Sequence, residues 1–313
     1  MPQPKIGFIG AGNVGATAAN YAAMKELGEI ILVDIKEGMP QGKALDMNEQ
    51  RPVDRFDAPL LGSNDYDAIE DCDLFVVTAG LPRKPGMTRE DLLKKNAEII
   101  EMIGSEIRDR APDSIVIMIT NPLDVMTYLM REVTGFPPER VLGQAGVLDS
   151  SRFSYFIADE LDVSVEDINA MVLGGHGDSM VPLSRYTTVS GISIDDLMEQ
   201  DTIDRLVERT RGGGGEIVEL LGDGSAFYAP GAAGVQMAES ILKDKKRILP
   251  CSVYADDVYG LDDVYIGLPA KLGANGVEKI LELDLTDDEY AELKKSADFY
   301  AEQIDIAMEA VEI

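Results

Sequence analysis

The sequence contains no tryptophan, a single histidine and two cysteines in 313 residues. Two cysteines in a chain of this length do not make a disulfide framework. Cys72 and Cys251 also lack metal-ligand spacing, so both are expected to be free thiols and no metal site is expected. Long apolar runs are missing as well. Ile115 to Ile119 is typical of the longest, against the roughly 18–20 residues needed to span a bilayer. Basic side chains are scarce, 28 Lys and Arg against 57 Asp and Glu, for a formal net charge of -29. Such a surface is ill suited to nucleic acid, whose binding needs clustered bases to neutralise phosphates. The N-terminal Met1-Pro2-Gln3-Pro4 runs straight into an apolar strand, without the successive basic, apolar and cleavage regions of a secretory signal. The expectation is a soluble cytoplasmic protein with neither membrane nor nucleic acid as a partner. What is plentiful is hydrophobic residue, 45% of the chain. That excludes a disordered acidic polymer and supplies a core for one large domain or two sharing an interface.

The first half alternates short β-rich runs with helical stretches, the pattern of a parallel sheet built from βαβ units. Lys5–Ile9, 30–33, 74–78 and 115–119 read as strands, with helices over 13–27 and about 89–110. The strands are continuously apolar, as expected for parallel strands buried on both faces. From about residue 145 the pattern shifts to longer helices and shorter, turn-punctuated strands. A division into 1–144 and 145–313 follows, the two parts packed together rather than tethered. Thr286-Asp287-Asp288-Glu289 has capping-box spacing. Beyond it Tyr290, Leu293, Ala297, Tyr300, Ile304 and Val311 recur at helical spacing, predicting a long amphipathic C-terminal helix. The run Gly212 to Gly215 precedes the helical stretch 216–221 and reads equally as a hinge near a site or a flexible helix entry.

Gly10-Ala11-Gly12-Asn13-Val14-Gly15 matches G-x-G-x-x-G, and Asp34 lies 19 residues beyond Gly15 at the end of the next strand. Glycine-rich turns are common, but this one leaves a strand and opens a helix. That is the layout in which backbone N–H groups and a helix N-terminus hold a pyrophosphate. A carboxylate at Asp34 would accept hydrogen bonds from ribose hydroxyls and repel a 2′-phosphate, which favours NAD over NADP.

The lone histidine, His176, is flanked by glycines in Gly174-Gly175-His176-Gly177-Asp178. If the chain performs neutral-pH acid–base chemistry through imidazole, His176 is its single candidate. Hydride transfer to a ketone also needs a cation for the substrate carboxylate and a carboxylate to orient the imidazole. Leu148-Asp149-Ser150-Ser151-Arg152 offers both on one helical face, since residues three apart are neighbours. Asp149 would hold the His176 tautomer, and Arg152 would bind a carboxylate as a bidentate fork. In isolation such a pair is more often a surface ion pair. Gly80 to Arg89 carries Arg83, Lys84 and Arg89 among glycines and prolines, the composition of a mobile lid that excludes water, or equally of a solvated basic loop.

Together the Gly10–Gly15 turn with Asp34, the 80–89 segment, Thr120-Asn121-Pro122, Leu148 to Phe153 and Gly175-His176-Gly177 resemble the lactate/malate dehydrogenase superfamily. The resemblance covers nearly the full length and is closest to the lactate-dehydrogenase-like bacterial malate dehydrogenases. It implies an α/β fold, a Rossmann-type doubly wound parallel sheet plus a mixed α+β catalytic domain, with NAD as cofactor. His176 paired with Asp149 would be the acid/base, Arg152 the clamp on the C1 carboxylate, and Arg89 the group that polarises the carbonyl. Asn121 would contact both substrate and nicotinamide, while Asn96, Ile119 and Thr120 would join Gly10, Ala11, Gly12, Asn13, Val14, Gly15 and Asp34 around the cofactor. At the position of Arg83 lactate enzymes carry Gln and malate enzymes Arg. A second substrate carboxylate buried without a partner would be costly, and pyruvate would leave Arg83 unpaired. Malate and oxaloacetate are therefore the expected pair, with Ala226 near Ser225 making room. The alternatives are a lactate or other 2-hydroxy acid dehydrogenase and, in another class, a non-catalytic NAD-binding protein. The resemblance also implies a homotetramer, two dimers paired. The surplus of acid means self-repulsion that salt screens, hence the expectation of a protein from a salt-loaded cytoplasm.

Overall fold

The structure, a computed structural model, describes residues 3–81 and 88–311. Elements follow in chain order β1 (Lys5–Ile9), α1 (Asn13–Met24), β2 (Glu29–Val33), α2 (Met39–Asp54), β3 (Leu60–Ser63), β4 (Leu74–Val77), α3 (Arg89–Arg110), β5 (Ile115–Met118), α4 (Leu123–Thr134) and β6 (Val141–Gly143). The second half continues with α5 (Gly146–Leu161), β7 (Ile168–Asn169), β8 (Val172–Gly174), β9 (Met180–Pro182), β10 (Thr188–Val189) and β11 (Ile192–Ser193). It closes with α6 (Gln200–Leu221), α7 (Tyr228–Leu242), β12 (Arg247–Ala255), β13 (Val264–Gly273), β14 (Gly276–Ile280) and α8 (Asp287–Met308).

One sheet runs through both halves in the order β3-β2-β1-β4-β5-β6-β12-β13-β8-β9, with β14 on β13. Its first six strands are parallel and the rest antiparallel. The parallel part has the doubly wound order, whose ligand crevice opens at the carboxyl ends of the strands where the winding reverses. Phe8, Ile31, Val76 and Ile117 in its central strands are fully buried, which is why these segments lack an alternating polar face. A second core around Phe153, Phe156 and Ile157 sits between α5 and α6 and reaches Val189 of the small sheet β11-β10-β7.

The predicted strands and the helix over 89–110 are found, most to within a residue, although α1 stops at Met24 instead of 27. The capping box at Thr286 and Glu289 is formed reciprocally and opens α8. Two expectations need correction. The glycines 212–215 lie inside α6 rather than at its entry, because the helix packs against α5 and tertiary contacts override their poor propensity. The second half also holds the two longest strands, β12 and β13, paired over nine positions, where shorter strands alone were expected. Both cysteines are free and buried. Among the described residues no helix is long and apolar enough to cross a membrane.

Candidate active site

The glycine turn lies where β1 hands over to α1. Gly10 adopts φ +103°, and a Cβ on Gly15 would stand 1.8 Å from the Gly10 carbonyl oxygen, so helix and turn touch main chain to main chain. Gly12, at the helix N-cap, offers no side-chain cap, and the space a Cβ would enter there is open. The N-terminus of α1 is therefore uncapped and open beside Gly12, with the positive end of the helix dipole there, a fit to a pyrophosphate. Asp34, just past β2, accepts from the Ala11 N–H at 2.7 Å and the Lys36 N–H at 2.8 Å, and a carboxylate with two such bonds retains lone pairs for ribose hydroxyls. Lys43 of α2, which the sequence reading overlooked, donates to the carbonyls of Ala11 and Gly12 at 2.7 and 3.3 Å. Burial lowers its pKa, with Asp34 opposing.

Across the crevice, the loop between β8 and β9 presents His176. Its Nδ1 lies 2.9 Å from Asp149 Oδ2, and the other oxygen of Asp149 accepts from Arg152 Nη1 at 3.3 Å. Asp149 and Arg152 sit one turn apart on α5, as the spacing predicted. Asp149 is 1% exposed and the Arg152 side chain 13%, so this is not the surface ion pair that such a motif more often makes. Burial works against charge on His176, but Asp149 outweighs it through both proximity and the hydrogen bond, and the imidazole pKa rises above its ordinary 6.5. The ring opens onto a cavity of about 370 Å³ shared with Arg152, Asn121, Ile119, Ala226 and Gly214 of α6. A neighbouring cavity of about 660 Å³ continues from His176 and Asn121 toward α8. Arg152 Nε is buried without a hydrogen-bond partner, a donor available to an anion in the cavity.

The remaining predicted residues divide. Asn121 follows β5 and faces both cavities. Asn96 is 1% exposed, and its amide is occupied with main chain, accepting from the Leu81 N–H and donating to the Leu81 and Asn121 carbonyls. Thr120 donates to the Ala79 carbonyl at 2.8 Å. Both brace the loops at the strand ends. Arg83 and Lys84 lie outside the described residues, as does the side chain of Arg89, whose backbone begins α3 behind the capping box of Thr88 and Asp91. Sequence reasoning also missed Asp124, which accepts the peptide N–H of His176 at 2.9 Å. A carboxylate inside an otherwise apolar stretch of α4 was the available signal.

A dinucleotide-type glycine turn facing a His–Asp–Arg cluster across a strand-end crevice is the layout of a nicotinamide-dependent dehydrogenase. Family models match accordingly: the lactate/malate dehydrogenase NAD binding domain over residues 4–143 and the lactate/malate dehydrogenase alpha/beta C-terminal domain over 146–311. The chain is similar to the malate dehydrogenase of Roseiflexus sp. (strain RS-1), 56% identical over 302 residues, 96% of this chain and 98% of the relative. It is 58% identical over 294 residues to the malate dehydrogenase of Salinibacter ruber (strain DSM 13855 / M31), 94% of this chain and 93% of the relative. The solved structure of a Salinibacter ruber malate dehydrogenase superposes with a TM-score of 0.94 at 54% identity, over 97% of this chain and 98% of that one. The chain belongs to the lactate/malate dehydrogenase family and is an NAD-dependent oxidoreductase.

Proposed function

We propose that this protein interconverts (S)-malate and oxaloacetate with NAD⁺/NADH. The observation that carries the reading is the buried His176–Asp149–Arg152 cluster facing the glycine turn, and similarity to malate dehydrogenases at 56–58% identity supports the choice of substrate. Bound NAD supplies the hydride acceptor. The pyrophosphate would rest on the N–H groups of α1 between Gly10 and Gly15, with Ala11, Gly12, Asn13 and Val14 lining it and Asp34 on the ribose. Ile119 would shape the nicotinamide end, with Asn96 and Thr120 bracing it from behind.

With Nδ1 engaged by Asp149, Nε2 is the nitrogen that exchanges the proton of the C2 hydroxyl. Asp149 fixes the tautomer and stabilises the imidazolium formed when malate is oxidised. Arg152 holds the C1 carboxylate as a planar fork, and Asn121 orients the C2 oxygen. Arg89 and Arg83 would complete the site, the first at the reacting carbonyl and the second on the distal carboxylate. Three guanidinium groups gathered there would suit a dianion even in so acidic a chain, because only local charge pairs with a buried carboxylate.

The test is kcat/KM for oxaloacetate against pyruvate. Oxaloacetate should lead by orders of magnitude, Arg83→Gln should lower the ratio, and a preference for pyruvate would make the enzyme a lactate dehydrogenase instead. We further propose that 1–144 is the cofactor part and 145–313 the catalytic part, that the enzyme is a cytoplasmic homotetramer, and that its charge reflects a salt-loaded medium. Salt shortens the Debye length from about 10 Å at 0.1 M to about 3 Å at 1 M. The melting temperature should therefore climb between these concentrations of KCl, and a flat series would refute the salt reading.

A further inference from the structure

Both main-chain polar groups of His176 are held by buried side chains from helices outside its own loop. Asp124 Oδ2, on α4, accepts the peptide N–H at 2.9 Å. Tyr300, on α8, donates its hydroxyl to the His176 carbonyl at 2.8 Å. The approach of α8 is close: a Cβ on Gly175 would lie 1.7 Å from the Tyr300 ring. Ser296, one turn earlier, accepts the Gly175 N–H at 2.9 Å. Asp124 is 0% exposed and Tyr300 6%, so neither bond competes with bulk water.

We propose that Asp124 and Tyr300 are positioning residues for His176, fixing its main chain from two sides, and that Asp124 also contributes a second negative charge beside the imidazole. The inference rests on His176 being the acid/base of the reaction proposed above. A neutral acceptor such as Asn would satisfy one peptide N–H without the desolvation cost of a carboxylate. Yet α4, ten of whose twelve residues are buried, places a carboxyl there. Its second oxygen, Oδ1, lies beside the Ser252 hydroxyl. Burial pushes the Asp124 carboxyl up to about 6, while Ser252 and His176 favour its ionised form. Hydrogen-bonded to the His176 peptide, an ionised Asp124 favours the protonated imidazole. The groups facing the imidazole are Asp149 and Arg152 from α5, Asp124 from α4, Tyr300 from α8, Arg211 from α6 and Asp178 of its own loop. Burial first, then the nearby Asp124, keeps the Tyr300 hydroxyl protonated and so a donor.

His176 is the one histidine in the chain, so an NMR titration of the intact protein reads its protonation with no other imidazole signal and without turnover. Asp124→Asn keeps an oxygen for the His176 N–H but removes the charge. The His176 midpoint should then fall by about half a pH unit or more, with NADH binding and melting temperature near wild type. A folded Asp124→Asn protein whose midpoint stays or rises overturns the proposal, since a purely structural acceptor would leave it unmoved. Tyr300→Phe leaves the charges in place and removes the carbonyl bond. It should lower kcat about five- to tenfold, the equivalent of one hydrogen bond, with KM for NADH unchanged. An unchanged kcat overturns the clamp, and this variant decides alone should Asp124→Asn fail to fold. Absence of oxaloacetate reduction in the wild type would count against the proposed reaction, while the titration would still judge Asp124.

Discussion

The cleft has one wall made of main chain and one made of side chains. On the β1–α1 side, the turn from Gly10 to Gly15 brings bare main chain to the N-terminus of α1, with no side-chain cap and open space at Gly12. On the β8–β9 and α5 side, three charged or titratable side chains converge within hydrogen-bond distance. A dinucleotide phosphate is the same in every reaction, so peptide groups on a rigid sheet and helix hold it well. Proton exchange and recognition of a carboxylate need groups with specific charge and pKa, which the peptide backbone does not offer. The two walls should accordingly fail in opposite ways, one when atoms are added and the other when they are removed.

The largest effect expected is on the side-chain wall. His176→Asn removes the proton donor without changing backbone geometry, and kcat should fall about 10²–10⁴-fold while NADH binding, followed by fluorescence titration, stays at wild-type affinity. Equal loss of both would erase the distinction between the walls. Adding a single carbon to the other wall gives the converse. Gly15→Ala drives a Cβ into the Gly10 carbonyl, and neither main-chain group has room to yield. NADH affinity should drop about 100-fold, roughly 2.7 kcal/mol, and a variant that binds NADH normally would show that the turn is pliable.

The main-chain wall was the more legible in sequence, because its rules are local. A buried strand, three glycines at fixed offsets and an acid after the next strand fall within thirty-odd residues, and β1, α1, β2 and Asp34 all lie where those rules put them. Asp149 and Arg152 were readable as one face of a helix, but their pairing with His176, 27 residues on, followed from what hydride transfer requires and not from any local spacing. Strands β12 and β13 escaped because each carries a proline, Pro250 and Pro269, directly opposite one another in the register. Proline argues against a central strand, and nothing local reveals a partner with the same defect. Asp124 and Tyr300 escaped for a related reason: they are separated from His176 by 52 and 124 residues, and no periodicity encodes which buried polar group meets which peptide.

The glycines of α6 are where the two kinds of wall meet. Gly213 is buried against Arg152, with a Cβ there 3.3 Å from Arg152 Cδ, whereas one at Gly215 would meet nothing within 4 Å. Each is a poor helix former, so alanine at either should gain up to about 1 kcal/mol of helix stability. In a chain of this size that is only a degree or two or so in melting temperature. At Gly213 the gain comes with a displacement of the Arg152 stem by a few tenths of an ångström. A planar fork that grips a carboxylate through paired bonds tolerates such a shift poorly. Gly213→Ala should therefore raise the melting temperature about as much as Gly215→Ala yet increase KM for oxaloacetate severalfold, with KM for NADH unmoved. If the two variants bind oxaloacetate alike, the bare backbone of α6 owes nothing to Arg152, and the glycine run is merely a costly piece of helix.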